Sequence, residues 1–157
     1  MSIRVKLSEI ILGMESQFHE SSSYFNKETG EVVIITDEEF FEAEKGDSLE
    51  KYPEWQQGII KIAREILADD EKYEPLPSRF DIDEYSIMER FCLSIKDERI
   101  SESLYNAIKG TGTFRLFKDG IHRFGVADDW YKYRDQELKK IAIWWCEKNK
   151  IDYIDDL

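Results

Sequence analysis

The sequence predicts an α+β fold that is predominantly helical, with a small N-terminal β-hairpin packed with a multi-helix C-terminal bundle. Three observations predict it. Apolar residues recur at three- and four-residue spacing through most of the chain. One pair of β-prone runs near the N-terminus is joined by a glycine-containing turn. And 157 residues that are 41% hydrophobic and 13% aromatic suffice for one sizeable core. The expectation is a single domain over residues 1–157, with a candidate subdomain junction near residues 74–78, where Pro75 and Pro77 break the pattern.

In chain order, Ile10, Ile11 and Met14 after Ser8 predict a short amphipathic helix over residues 7–16. The hairpin follows, residues 22–26 and 31–35 flanking a turn with Gly30 in its left-handed position. Thr36 is placed to cap the next helix with Glu39 completing a capping box, and Phe40 and Phe41 are expected to point inward. Pro53 suits the first turn of a longer helix whose apolar face is read as Trp55, Ile59, Ile62, Ala63, Ile66 and Leu67, closed by Asp69, Asp70 and Glu71.

Everything beyond the prolines reads as helix. Ile87, Met88, Phe91, Cys92 and Ile95 mark one helix; Ile100, Leu104 and Ile108 mark another, stopped by Gly110. Phe114, Phe117, Ile121 and Phe124 define a third, all four expected on its buried face. A last helix over residues 128–149 carries Trp130, Leu138, Ile141, Ala142 and Trp145 inward, and residues 155–157 are expected to fray.

The formal net charge is −12, which opposes binding to phosphate backbones or anionic lipid. Residues 1–76 hold 18 acidic and 8 basic side chains against 16 and 14 in residues 77–157, so nearly all the excess is N-terminal. No run approaches the roughly 18 apolar residues of a membrane span, and the first residues lack the apolar block of a signal peptide. A cytoplasmic protein is therefore expected. Cys92 and Cys146, each inside an apolar run, are read as reduced core residues.

The densest motif is residues 110–119, where Gly110, Thr111 and Gly112 lead straight into a helix. Free N–H groups at such a start can hold a phosphate or carboxylate, with Arg115 and Lys118 adding charge. No complete nucleotide-binding fingerprint is present, and the preferred reading is a tight interhelical turn with Arg115 and Asp119 as an i,i+4 ion pair. His19 and His122 lack neighbours at metal-ligand spacing and are read as surface residues. Asp81, Asp83 and Glu84 suit a helix start, and Ser21, Ser22 and Ser23 lack the elbow of a nucleophilic serine. One helix face cannot bury Trp130, Tyr131, Tyr133, Trp144 and Trp145 together, which leaves Tyr131, Tyr133 or Trp144 for the surface.

Arg79-Phe80-Asp81-Ile82, Met88-Glu89-Arg90-Phe91, the Gly-Thr-Gly-Thr-Phe-Arg-Leu-Phe-Lys-Asp run from Gly110 and Trp130-Tyr131 stand in one order that resembles a widespread bacterial family of small acidic proteins classed only as an uncharacterised protein family. The Thr29-Gly30 turn and the Tyr52-Pro53-Glu54-Trp55 segment are similar to it too. The resemblance implies a bacterial cytosolic setting and no particular activity. In that family the residue between the two glycines is often basic; here it is Thr111, which weakens an anion site.

The functional reading is a non-enzymatic protein-binding module. Its candidate surface combines Gly110, Thr111, Gly112, Arg115 and Lys118 with Trp130, Tyr131 and Arg134, basic and aromatic side chains in an otherwise acidic chain. Another protein is the expected partner, with no cofactor, metal, membrane or direct nucleic-acid contact. Two other readings stand beside it: a small-molecule or nucleotide site at the same helix start, and an acidic nucleic-acid mimic or decoy of phage or defence type.

Overall fold

The computed structural model describes residues 3–17 and 20–157, so His19 lies outside the described residues. The chain divides into two compact units, Met1–Asp81 with Ile141–Leu157, and Ile82–Lys140. The α+β, predominantly helical class is what the structure has.

The first unit opens with strand β1 (Arg4–Lys6) and helix α1 (Leu7–Glu15), followed by strands β2 (Ser21–Asn26) and β3 (Val32–Thr36). Helix α2 (Asp37–Glu44), a single 3-10 turn (Leu49–Lys51), helix α3 (Glu54–Leu67), strand β4 (Tyr73–Pro75) and all but the last residue of the short helix α4 (Arg79–Ile82) follow. The predicted hairpin is β2 and β3, antiparallel from Ser21↔Thr36 to Phe25↔Val32. The capping box is present as well: Glu39 N–H donates to Thr36 Oγ1 (3.1 Å) and Thr36 N–H donates back to Glu39 Oε1 (2.9 Å).

The hairpin is part of a larger sheet of order β3-β2-β4, Tyr24 standing opposite Pro75. Alternation along β3 sends Val33 and Ile35 to one face, where Ile35 meets Ala43, Ile60 and Ala63 of α2 and α3. Val32 and Ile34 face the other way, where Val32 lies against Gly13 of α1 and Ile34 is exposed. There Gly13 is required for space, because a Cβ would stand 2.8 Å from Val32 Cγ1 and 2.7 Å from Leu76 Cδ2.

The second unit contains helices α5 (Glu84–Ser94), α6 (Glu98–Ala107) and α7 (Thr113–Arg123) and residues 127–140 of the long helix α8 (Ala127–Lys148). Its core is aromatic: Phe117 lies 4.8 Å from Trp130 and 6.3 Å from Phe91, centroid to centroid, and Phe91 lies 5.3 Å from Trp130. Gly120 lets α6 approach α7, since a Cβ there would stand 2.6 Å from Leu104 Cδ2. The last eight residues of α8 belong to the first unit, where Trp145 stacks edge-on against Phe25 (5.9 Å) and donates its indole N–H to Pro75 O (2.9 Å).

Several expectations are corrected. Phe114 is 63% exposed and Phe124 only half-buried, so the inner face of α7 is Phe117, Gly120 and Ile121. Trp55 is 80% exposed and Leu67 is also exposed, while Ile60 is a centre of the α3 face. Phe41 is exposed beneath Lys45, because two adjacent residues lie 100° apart on a helix and only Phe40 turns inward.

The region beyond the prolines is not all helix: strand β5 (Asp152–Ile154) pairs in parallel with β1, Arg4↔Asp152 to Lys6↔Ile154. Asp156 does not stand idle in a frayed tail. Its carboxylate accepts from the backbone N–H of Ser8 (3.0 Å) and from the Ser8 hydroxyl. It thereby caps α1, which has no cap of its own, and these bonds hold its carboxyl below the usual range.

Phe117→Ala is expected to cost about 3–5 kcal/mol, as buried aromatic truncations do, and Phe114→Ala less than about 0.5 kcal/mol, as exposed ones do. Denaturant melts of the two variants check the inner face of α7.

Candidate interaction surface

The start of α7 is built by its turn. Gly112 takes φ +73°, a left-handed conformation that glycine adopts without strain, and nothing lies within 4 Å of a Cβ built there. Glycine is therefore needed for conformation, not to admit a neighbour. The Thr113 hydroxyl turns back to Gly110 O (2.8 Å) and Ile108 O (3.2 Å), tying the end of α6 to the start of α7. Gly112 brings no side chain to cap the helix, which leaves the first N–H groups of α7 open to solvent or to an acceptor.

Gly110, Thr111, Arg115 and Lys118 are exposed around this start. Phe114 and Lys118 stand four residues apart on one stripe, with Arg115 beside them. The expected Arg115–Asp119 ion pair is absent among the described residues. An exposed pair with the cation N-terminal to the anion runs against the helix dipole and has little to hold it together.

The other members of the predicted surface divide. Tyr131 is exposed, but Trp130 is only 6% exposed and belongs to the core against Phe117 and Phe91. That contact seats the first turns of α8 on α7. Arg134 is also withdrawn: its guanidinium donates to both carboxylate oxygens of Glu84 (2.6 and 3.3 Å), a geometry that fixes both side chains. Of the predicted surface, Gly110, Thr111, Gly112, Arg115, Lys118 and Tyr131 are exposed, and so is Phe114 beside Arg115. Leu116, half-exposed on α7, was not singled out from the sequence.

The remaining candidates have structural partners. Asp83 caps α5 by accepting from Ser86 N–H (3.2 Å), Asp81 accepts from Ser78 N–H (2.9 Å), and Glu84 holds Arg134. The Ser23 hydroxyl donates to Gly13 O (2.7 Å) and is buried. Trp144 is exposed with the Lys148 ammonium over its ring. His122 is exposed. Among the described residues, no group of three or more His, Cys, Asp or Glu side chains converges to hold a metal.

Three groups have strongly displaced acidities. Burial pushes the Cys92 and Cys146 thiols up to about 11. Burial, then the hydrogen bond it donates to Glu65 Oε2 (2.8 Å), pushes the Tyr73 hydroxyl up to about 12, and that bond holds the Glu65 carboxyl low.

The family model of the uncharacterised protein family UPF0158 matches residues 16–156. A UPF0158 protein of Pseudomonas aeruginosa is 27% identical over 66 residues, which are 41% of this chain and 43% of that protein, so the chain spans less than half of that relative's length. No solved structure matches the chain.

The raised pKa values of Cys92, Cys146 and Tyr73 lower stability at alkaline pH. Above pH 9 for the thiols and pH 10 for Tyr73, the unfolded chain releases protons that the folded protein keeps. Stability present below pH 9 is therefore lost as pH rises towards 12. Denaturant melts should show that decline, and Tyr73→Phe should flatten its upper part.

Proposed function

We propose, for a chain that belongs to the uncharacterised protein family UPF0158, a role as a protein-binding module that engages its partner through the outer side of α7 and the start of α8. The observation that carries this reading is Phe114. It shares a helix and nearly a face with buried Phe117, yet it stands 63% exposed between Arg115 and the Gly112 turn. Large exposed aromatics beside arginine are the side chains that dominate binding energy when a partner desolvates them. Tyr131 on α8 is a second exposed aromatic, and Lys118, one turn beyond Phe114, adds a rim charge.

The setting we propose is the bacterial cytoplasm. The Pseudomonas relative and two buried, unpaired cysteines support it. Among the described residues, no helix is long and apolar enough to cross a membrane.

The test compares the wild-type chain with a Phe114→Ala/Arg115→Ala/Lys118→Ala variant in capture of partners from a lysate of the source organism, read by mass spectrometry. All three positions are exposed, so the variant should melt like the wild type. Its affinity for the captured partner should fall by about 2 kcal/mol or more, roughly 30-fold. Undiminished capture would defeat the proposal. A nucleotide or phosphate that raises the wild-type melting temperature, and fails to do so in the variant, would replace it with the anion-site reading.

A further inference from the structure

The sheet of the first unit has two edges, and they are treated differently. At the β4 edge, Pro75 has no N–H to offer and its carbonyl is taken by the Trp145 indole. At the β3 edge the sequence is Val-Val-Ile-Ile-Thr, with no charge, proline or glycine, the features that commonly blunt an edge.

The register identifies the backbone groups left over. Asn26 N–H donates to Glu31 O (2.8 Å) and Asp37 N–H donates to Glu20 O (2.7 Å), so residues 31, 33, 35 and 37 bond towards β2. Val32 and Ile34 therefore aim their N–H and C=O groups outward, about 7 Å apart. No other strand takes them among the described residues. Thr36, the third outward residue, has already given its N–H to Glu39. Both faces of the sheet are occupied, one by α1 and Trp145 and the other by α2 and α3. The open approach is lateral, along the unpaired β3 edge, and Ile34 is 40% exposed beside it.

Charge selects the occupant. Exposed Glu31 stands at one end of β3, and exposed Asp37 and Glu38 at the other. The unit itself holds 23 acidic and 11 basic residues, a net −12, whereas Ile82–Lys140 holds 11 of each. A second copy pairing antiparallel about Ile34 would set Glu31 opposite Asp37 twice, and like charges directly opposite are destabilising. We infer that the outer edge of β3 is a docking site for an extended segment of another protein, apolar at alternate positions and flanked by lysine or arginine, which adds as a fourth strand. Main-chain bonds to Val32 and Ile34 supply the hold, and the flanking charges supply register and selectivity.

Amide exchange of the full chain, followed by NMR, tests this with the peptide Lys-Val-Thr-Val-Thr-Val-Lys. In the antiparallel register centred on Ile34, its lysines face Glu31 and Asp37. At millimolar peptide the Val32 and Ile34 amides should exchange at least about tenfold more slowly, while Val33 and Ile35 stay as protected as before. A Glu-flanked peptide should bind about tenfold more weakly or worse. A version N-methylated at the middle valine should not bind, because that N–H faces Ile34. Unchanged exchange at Val32 and Ile34, or equal binding by the Glu-flanked or methylated peptide, would overturn the inference. So would concentration-dependent protection of these amides in the free chain, which would assign the edge to a second copy. These peptides leave Phe114 untouched, so the outcome is separate from the α7 surface.

Discussion

Helix α8 contributes one buried tryptophan to each unit, Trp130 to the second and Trp145 to the first, and each fixes the aromatic side chains around it. Trp130 holds Phe91 and Phe117 in edge-on contact in the second unit. Trp145 holds Phe25 and, through its indole N–H, the carbonyl of Pro75 in the first. Edge-to-face pairs add to the burial that drives them and fix ring orientation, so each tryptophan specifies geometry as well as stability. For α7 the consequence is direct. Once Phe117 is committed to Trp130, the first turn of α7 projects past that contact, and Phe114 with Arg115 is left facing outward.

Charge is distributed with equal consequence. The second unit is neutral in sum, whereas the first unit carries the whole net −12. Two of those acids have structural roles: the Glu39 capping box on α2 and the Asp156 carboxylate at the start of α1 are negative charges at helix N-termini. Elsewhere the same charge sets what may approach. It brackets the open edge of β3 at both ends and favours a positively charged segment over a second copy of the chain.

What the sequence made legible is what local rules encode. The hairpin turn, the Thr36–Glu39 box and the inward Trp130 and Trp145 each depend on residues within a few positions of one another, and each is found as expected. The misses have two physical origins. Periodicity reports the direction a side chain faces around a helix but not whether a neighbour reaches that far along it. Phe114 and Trp55, each the second residue of its helix, have apolar spacing and remain exposed. Pairing across long separations leaves no local signal: β1 and β5 lie at opposite ends of the chain, and β4 includes a proline that argues against a strand except at an edge. In the candidate surface the glycine turn, Arg115, Lys118 and Tyr131 are exposed, as local polarity and turn chemistry lead one to expect. Trp130 and Arg134 were not separable from them, because the Phe117 contact and the Glu84 pair that withdraw them arise only in the fold.

The binding role assigned to α7 depends most directly on what touches residue 114 in the cell. A photoreactive phenylalanine analogue placed at Phe114 in the source organism should cross-link to one recurring protein, while the same analogue at Trp55, which is more exposed, should not yield that adduct. An absence of cross-links at position 114, or the same adducts from both positions, would show that exposure rather than recognition explains Phe114, and would contradict the binding role assigned to α7.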